Sequence, residues 1–184
     1  MFSKNKSYWL TNAHIPESLI PEKNYDLKTR EGLCLVDIFI EQGKLKQVTP
    51  ANEVKDNYIK QINLNKKIVL PCFIDLHTHL DKGHIWQRSP NLDGTFDTAL
   101  KTIMGDAQQY WQTEDLLRRM EFSLKSAYAY GTKAIRTHID SFGQQADISW
   151  QVLQDLQQKW QEKITLQGVS LVSLDYYQTG AGVD

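Results

Sequence analysis

Apolar stretches long enough to cross a membrane are missing from this sequence. The longest apolar run, Ile68 to Ile74, falls far short of the roughly 20 residues that a spanning helix requires. No apolar stretch of signal-peptide length follows Met1-Phe2-Ser3-Lys4-Asn5-Lys6. Cysteine is scarce: Cys34 and Cys72 stand alone and far apart, so no disulfide framework is implied. A basic excess is absent too, with 21 Lys and Arg set against 22 Asp and Glu for a formal charge of −1. Chains that track phosphate backbones carry a basic surplus or stripe, so neither nucleic acid nor membrane is expected as a partner. The reading is a cytoplasmic protein. Repeats, low-complexity segments, glycine-rich phosphate loops and dinucleotide fingerprints are likewise missing.

What is present is ordinary globular material, 41% hydrophobic and 23% charged over 184 residues. Residues 1–66 read as β-structure with loops. Tyr8-Trp9-Leu10-Thr11 is a plausible opening strand, and Leu33 to Ile40 and Leu45 to Val48, joined by Glu41-Gln42-Gly43-Lys44, predict a hairpin. Pro16, Pro21 and the polar stretch from Glu22 to Glu31 predict a surface loop, and His14 is expected at the surface.

After Lys66-Lys67 the character changes. Ile68-Val69-Leu70-Pro71 leads into Cys72-Phe73-Ile74-Asp75-Leu76-His77-Thr78-His79, an apolar run feeding a polar tip. That is the look of a strand buried in a parallel sheet, with chemistry at its C-terminal end. Thr95 can cap a helix with Leu100, Ile103, Met104, Ala107 and Trp111 on one face. Thr113 opens a second helix, with Glu114 and Asp115 in its first turn, Leu116, Met120, Leu124, Ala127 and Tyr128 at helical spacing, and Gly131 at its end. Lys133 to Asp140 is a further strand, Ile148, Val152, Leu156 and Trp160 mark another helix, and Ile164 to Val172 is a third strand. Trp111, Trp150 and Trp160 read as packing residues. Strand, helix, strand, helix, strand is the pattern of a parallel α/β fold. A closed eight-stranded barrel takes about 250 residues, so the expected fold class is α/β: a partial β-sandwich over 1–66, then an incomplete barrel of three β/α units over 67–184.

His77-Thr78-His79 is the central signal. Residues i and i+2 of a strand project from the same face, so two imidazoles so placed can converge on one cation, zinc and iron being equally suited. The alternative is two solvated histidines at a strand end. Context favours the ligand reading, because barrel enzymes place catalytic groups where their strands end.

The segment Leu70-Pro71-Cys72-Phe73-Ile74-Asp75-Leu76-His77-Thr78-His79-Leu80-Asp81-Lys82 resembles the first barrel strand of the amidohydrolase superfamily. Gly94-Thr95-Phe96, Tyr130-Gly131-Thr132, Arg136-Thr137-His138-Ile139-Asp140 and Leu166-Gln167 are similar, in order and spacing, to its cytosine deaminase branch. The resemblance covers nearly the whole chain, weakly before residue 33 and strongly from 68 to 140. It implies one divalent metal ion, iron or zinc, held by His77 and His79, that lowers the pKa of water for attack on a ring carbon bearing an amino group. The remaining ligands and the acid/base residues are then expected beyond Asp184. It also implies that His138 and Asp140 hold the ligands in place, a role shared with Asp81, while Lys82 faces substrate or metal-bound water. For Asp81 and Lys82 the alternative is a loop salt bridge; for His138 it is a hydrogen-bonded core histidine. Lys82 is also similar to its counterpart in N-isopropylammelide aminohydrolases. His84 and Trp86 lie in the loop after the strand, where they line the pocket or simply pack.

One departure bears on the substrate. Where cytosine deaminases use a glutamine to read the pyrimidine edge, an ungapped comparison puts Ser173, which offers one hydroxyl in place of a two-sided amide. Other metallohydrolase types do not fit. His-Glu-x-x-His is absent, and so is the His-x-Glu with Cys-x-x-Cys of the other zinc nucleobase deaminases, since His84 is followed by Ile85 and Trp86. The expected function is therefore metal-dependent deamination of a small nucleobase-like heterocycle, with the 184 residues inactive by themselves. The alternatives are a non-catalytic remnant, or a relative acting on another cyclic amidine or amide such as an N-alkylammelide. A homo-oligomer is left open for a fuller form.

An open three-stranded parallel sheet leaves unpaired edges and uncovered apolar surface. The isolated 184 residues are accordingly expected to associate in sedimentation velocity. A single monomer boundary accompanied by cooperative melting would contradict this.

Overall fold

Apolar residues alternate with polar ones through the first third of the chain, and they form strands. In the computed structural model, which describes residues 7–20, 28–53 and 58–178, the chain divides after Pro71 into two compact units. The first holds β1 (Tyr8–Pro16), β2 (Leu33–Glu41), β3 (Lys44–Pro50) and β4 (Lys60–Asn63) in one sheet of order β3-β2-β1-β4. The expected hairpin is β2–β3. Its two turn residues, Gln42 and Gly43, both have positive φ, 51° and 74°, the primed turn whose twist suits a two-residue connection. Ala13, Ile15, Cys34, Val36 and Ile38 make the core of this unit. β1 is bulged between Leu10 and Ala13. There the buried carboxylate of Asp37 accepts the backbone N–H groups of Asn12 (2.9 Å) and Asn52 (3.1 Å), satisfying donors that the ladder leaves free. His14, expected at the surface, is half-buried. The predicted 22–31 loop lies mostly outside the described residues.

The lead-in Ile68-Val69 does not extend the barrel strand. It pairs with β1, through His14 N–H to the Lys67 carbonyl (3.0 Å) and Val69 N–H to the His14 carbonyl (2.8 Å). Pro71, which cannot donate to a ladder, follows after Leu70. The unit boundary accordingly falls later than the expected 66/67.

The second unit runs β5 (Phe73–Thr78), α1 (Phe96–Tyr110), α2 (Thr113–Ala129), β6 (Thr132–Asp140), α3 (Gly143–Trp160), β7 (Thr165–Leu171) and the short α4 (Leu174–Gln178). The three strands are parallel, in order β5-β6-β7, the first three β/α units of a TIM-like barrel. Thr95 caps α1 as expected, its hydroxyl accepting Thr98 N–H. Thr113 does not cap α2: Gln112 holds that position with no side-chain bond, and Thr113 is the first helical residue. Gly131, with φ 91°, ends the helix from a conformation that costs glycine little. One core is built from Leu116, Met120 and Leu124 of α2, Val152, Leu153 and Leu156 of α3, Ile135, Ile139 and Leu166 of the sheet, and Ile164 just ahead of β7. Trp111 and Trp160 are buried and Trp150 half-buried, all packing as expected.

β5 is not the buried strand its composition suggested. Phe73, Ile74 and Leu76 are each more than half exposed, because β5 is an edge strand that pairs only with β6 among the described residues. Leu100 and Met104 of α1 are also exposed, while Ile103 and Ala107 on the same helix pack on the core.

α3 approaches β7 closely at Gly168, where an added Cβ would sit 2.4 Å from Leu153 Cδ2 and 2.7 Å from Trp150 Cζ3. Neither neighbour is free to move, one being core and the other tied by its Nε1–H to Ser141 Oγ at 2.8 Å. Gly168→Ala should therefore overpack this contact and cost about 1–3 kcal/mol in urea unfolding; an unchanged midpoint would contradict the packing described.

Candidate metal centre

β5 ends in the two histidines. His77 is the penultimate residue of the strand and His79 the first beyond it, and their ring centroids lie 5.2 Å apart, as expected for side chains leaving one face. β6 brings a third ring to the same place: His138 stacks on His77 at 4.1 Å and lies 5.5 Å from His79. His77 is exposed, and the other two are half-buried. The Nδ1 atoms of His79 and His138 are buried without a hydrogen-bond partner. Burial pushes the His79 pKa down, with the Lys82 and His77 charges adding to it and Asp81 opposing. The ring is thereby kept in the neutral form that ligates metal.

These features fit a cation. An orphaned buried imidazole nitrogen is costly unless something occupies it, and neutral, paired imidazoles are the donors zinc and iron accept. Among the described residues, no set of three or more His, Cys, Asp or Glu side chains is arranged to hold a metal. The donors here are thus fewer than the three protein ligands of an ordinary catalytic zinc.

Directly behind the pair lies a charged cluster. Asp81 is fully buried. Its carboxylate accepts Asp140 N–H at 3.0 Å and pairs with Lys82 Nζ at 3.3 Å, tying the tip of β5 to the tip of β6. Lys82 Nζ also reaches Asp140 Oδ1 at 2.8 Å. Burial pushes the Asp81 pKa up, against the lowering effect of Lys82. Leu80 N–H donates to Thr137 Oγ1 at 2.9 Å, a second tie between the same strands. The Lys82 ammonium lies between two carboxylates, the loop salt bridge that sequence left as an alternative.

The loop after the pair is docked on the helices by residues that sequence reasoning passed over. Arg119 of α2 donates from Nη1 to the carbonyls of Asp81 (2.6 Å) and Gly83 (2.9 Å), and from Nε to Asp115 Oδ2 (2.8 Å). Arg88 bonds Asp106 through Nε and Nη2, both at 2.8 Å. It bonds Asp115 as well, through Nη1 (2.6 Å) and Nη2 (3.0 Å). Asp106 also accepts from Ser89 Oγ and Trp111 Nε1. The only sequence trace was Asp115 and Arg119 at i,i+4, which reads equally well as a solvated helix pair. His84, with φ 63°, turns to α2, where its Nε2 is 2.9 Å from Ser123 Oγ and its ring meets Phe122 edge-on. Trp86 is 63% exposed. Ser173 is exposed just ahead of α4, its carbonyl accepting Tyr176 N–H. None of these three joins the histidine cluster.

No protein-family model matches the sequence. The chain is 41% identical over 167 residues to a pterin deaminase of Rhizobium rhizogenes, an alignment covering 91% of this chain and 38% of that protein. The fold is similar to that of 5-methylcytosine deaminase from Klebsiella pneumoniae (TM-score 0.68, 18% identity, 88% of this chain and 36% of that one). It is similar also to N-isopropylammelide isopropylaminohydrolase from Burkholderia multivorans (TM-score 0.64, 18% identity, 96% and 43%). The chain thus spans about two fifths of the length of the proteins it matches.

Asp115 gives the docking network a pH signature. Burial would raise its pKa, but hydrogen bonds from Arg88 and Arg119 outweigh that and hold it at about 2, below the ordinary 3.8. A depressed carboxylate stabilises the fold above its unfolded value, and the contribution is lost as pH falls from there to the folded value. The stability gap between the protein and Asp115→Asn should thus narrow by about 2 kcal/mol as pH falls through 3.8 to about 2. Urea unfolding that gives a constant gap across this range would contradict it.

Proposed function

We propose that this chain, similar in sequence to a pterin deaminase and in fold to other heterocycle hydrolases, belongs to the amidohydrolase superfamily and supplies half the metal site of an enzyme deaminating a pterin-like heterocycle. The observation that carries this reading is the pair of His77 and His79 rings, side by side at the end of β5 with a buried, unpartnered nitrogen. When bound there, zinc or iron would supply Lewis acidity that makes water a nucleophile near neutral pH. His138, stacked on His77, holds that ring from behind. Asp81 and Asp140, with Lys82 between them, fix the distance between the two strand ends.

The reaction adds water to the ring carbon bearing the exocyclic amino group, breaks that C–N bond and releases ammonia, leaving a carbonyl on the ring. Ammonia departs with a proton that a positioned acid/base group must deliver. One observation favours a pterin-like ring over cytosine: the relative at 41% identity is a pterin deaminase.

The test is ammonia release from pterin, cytosine and N-isopropylammelide by the complete polypeptide carrying this sequence. Pterin should be turned over, activity should vanish with a chelator, and zinc or iron should restore it. His77→Ala and His79→Ala should each cost more than the 10–100-fold lost when a partner outside the ligand shell is removed. Activity indifferent to both substitutions would overturn the metal reading, and turnover of cytosine with refusal of pterin would overturn the substrate.

A further inference from the structure

Sequence and family likeness both direct attention to the strand ends, yet the loop that leaves them is fastened from outside by α2, and at its start by the side chain of Arg119. Arg119 is 5% exposed. Its Nη1 spans the carbonyls of Asp81 and Gly83, the second and fourth residues after His79. Both carbonyls lie past the end of β5, where no ladder donor reaches them, and a buried carbonyl left without a donor is costly. The guanidinium is itself fixed: Asp115 accepts from its Nε, and its Cζ lies over the Trp111 ring, 5.3 Å from the ring centroid. Asp115 is shared with Arg88, a residue of the same loop. The loop is therefore gripped at its start and at its middle, with His84 hooked to Ser123 between the grips.

We propose that Arg119 is a positioning residue for the His77–His79 pair, acting through the Asp81–Gly83 backbone. This rests on the metal-site reading above. His79 is the first residue beyond β5, so the ladder holds the chain on one side of it and the segment Leu80 to Gly83 must hold it on the other. Holding the carbonyls of residues 81 and 83 fixes the direction in which the chain departs. It also fixes Asp81, whose carboxylate accepts from the end of β6. Lysine in place of Arg119 keeps a charge, but it lacks the planar fork that serves two carbonyls and a carboxylate at once.

The experiment compares the protein with Arg119→Met and Arg119→Lys, using Arg118→Met, on an exposed neighbour, as control. Two readouts are taken: amide hydrogen exchange of residues 80–89 without metal, and the zinc dissociation constant from competition with a chromophoric chelator. Arg119→Met should speed exchange in 80–89 while leaving α3 and β7 protected, and should weaken zinc binding about 10–100-fold. Arg119→Lys should fall between it and the parent, and Arg118→Met should match the parent. Should Arg119→Met fail to fold, the same comparison is made with Arg119→Lys. Zinc affinity unchanged in a folded Arg119 variant, despite a loosened loop, overturns this inference and leaves the metal site standing. Absence of zinc binding in the parent protein overturns both.

Discussion

The Asp81 carboxylate, fully buried, is the hinge point of the second unit. It sits where β5 ends and accepts the backbone N–H of Asp140 where β6 ends. Two parallel strands of an open sheet have no turn to join their tips, so their relative height depends on such a tie. The tie is charged because a charged acceptor holds a backbone donor more strongly than a neutral one. Burying it carries a desolvation cost that Lys82 offsets, and Lys82 reaches Asp140 in the same gesture. His77, His79 and His138 stand at the two tips so joined, and the spacing of their rings is a consequence.

Support for that tie comes from an unexpected quarter. The loop after His79 is lashed to α1 and α2 by two arginines and two aspartates, with Trp111 and Ser89 completing the bonds to Asp106. Such a cluster is worth less as net stability than as geometry, since desolvation consumes much of what ion pairing returns. Its effect is that the loop leaving the candidate site is anchored at Arg88, at His84 and at the Asp81–Gly83 backbone.

Much of this was legible in the sequence. Period-2 and period-3.6 patterns located the hairpin, the barrel strands and the helices, and Thr95 and Gly131 marked helix ends for the reasons caps usually do. His77 and His79 were legible because a strand's period of two makes i,i+2 neighbours by necessity. What escaped was long-range. Arg88 meets Asp106 and Asp115 only after α1 and α2 have folded back, and no periodicity records such a meeting. The expected burial of Phe73, Ile74 and Leu76 was inferred from their composition, but burial depends on which strands flank β5, and composition does not say. Ile68 and Val69 were read with the following strand because they are apolar, but they pair with His14 of β1, a long-range partner that no local pattern records.

The central claim is that the rings at 77 and 79 share one cation. The most direct measurement is histidine side-chain nitrogen-15 NMR during a zinc titration. The account predicts that the ring nitrogens of His77 and His79 shift together to the metal-bound range at one equivalent, while His14 and His84 stay where they were. Movement of His84 in their place, or no movement of either strand-end histidine, would contradict it.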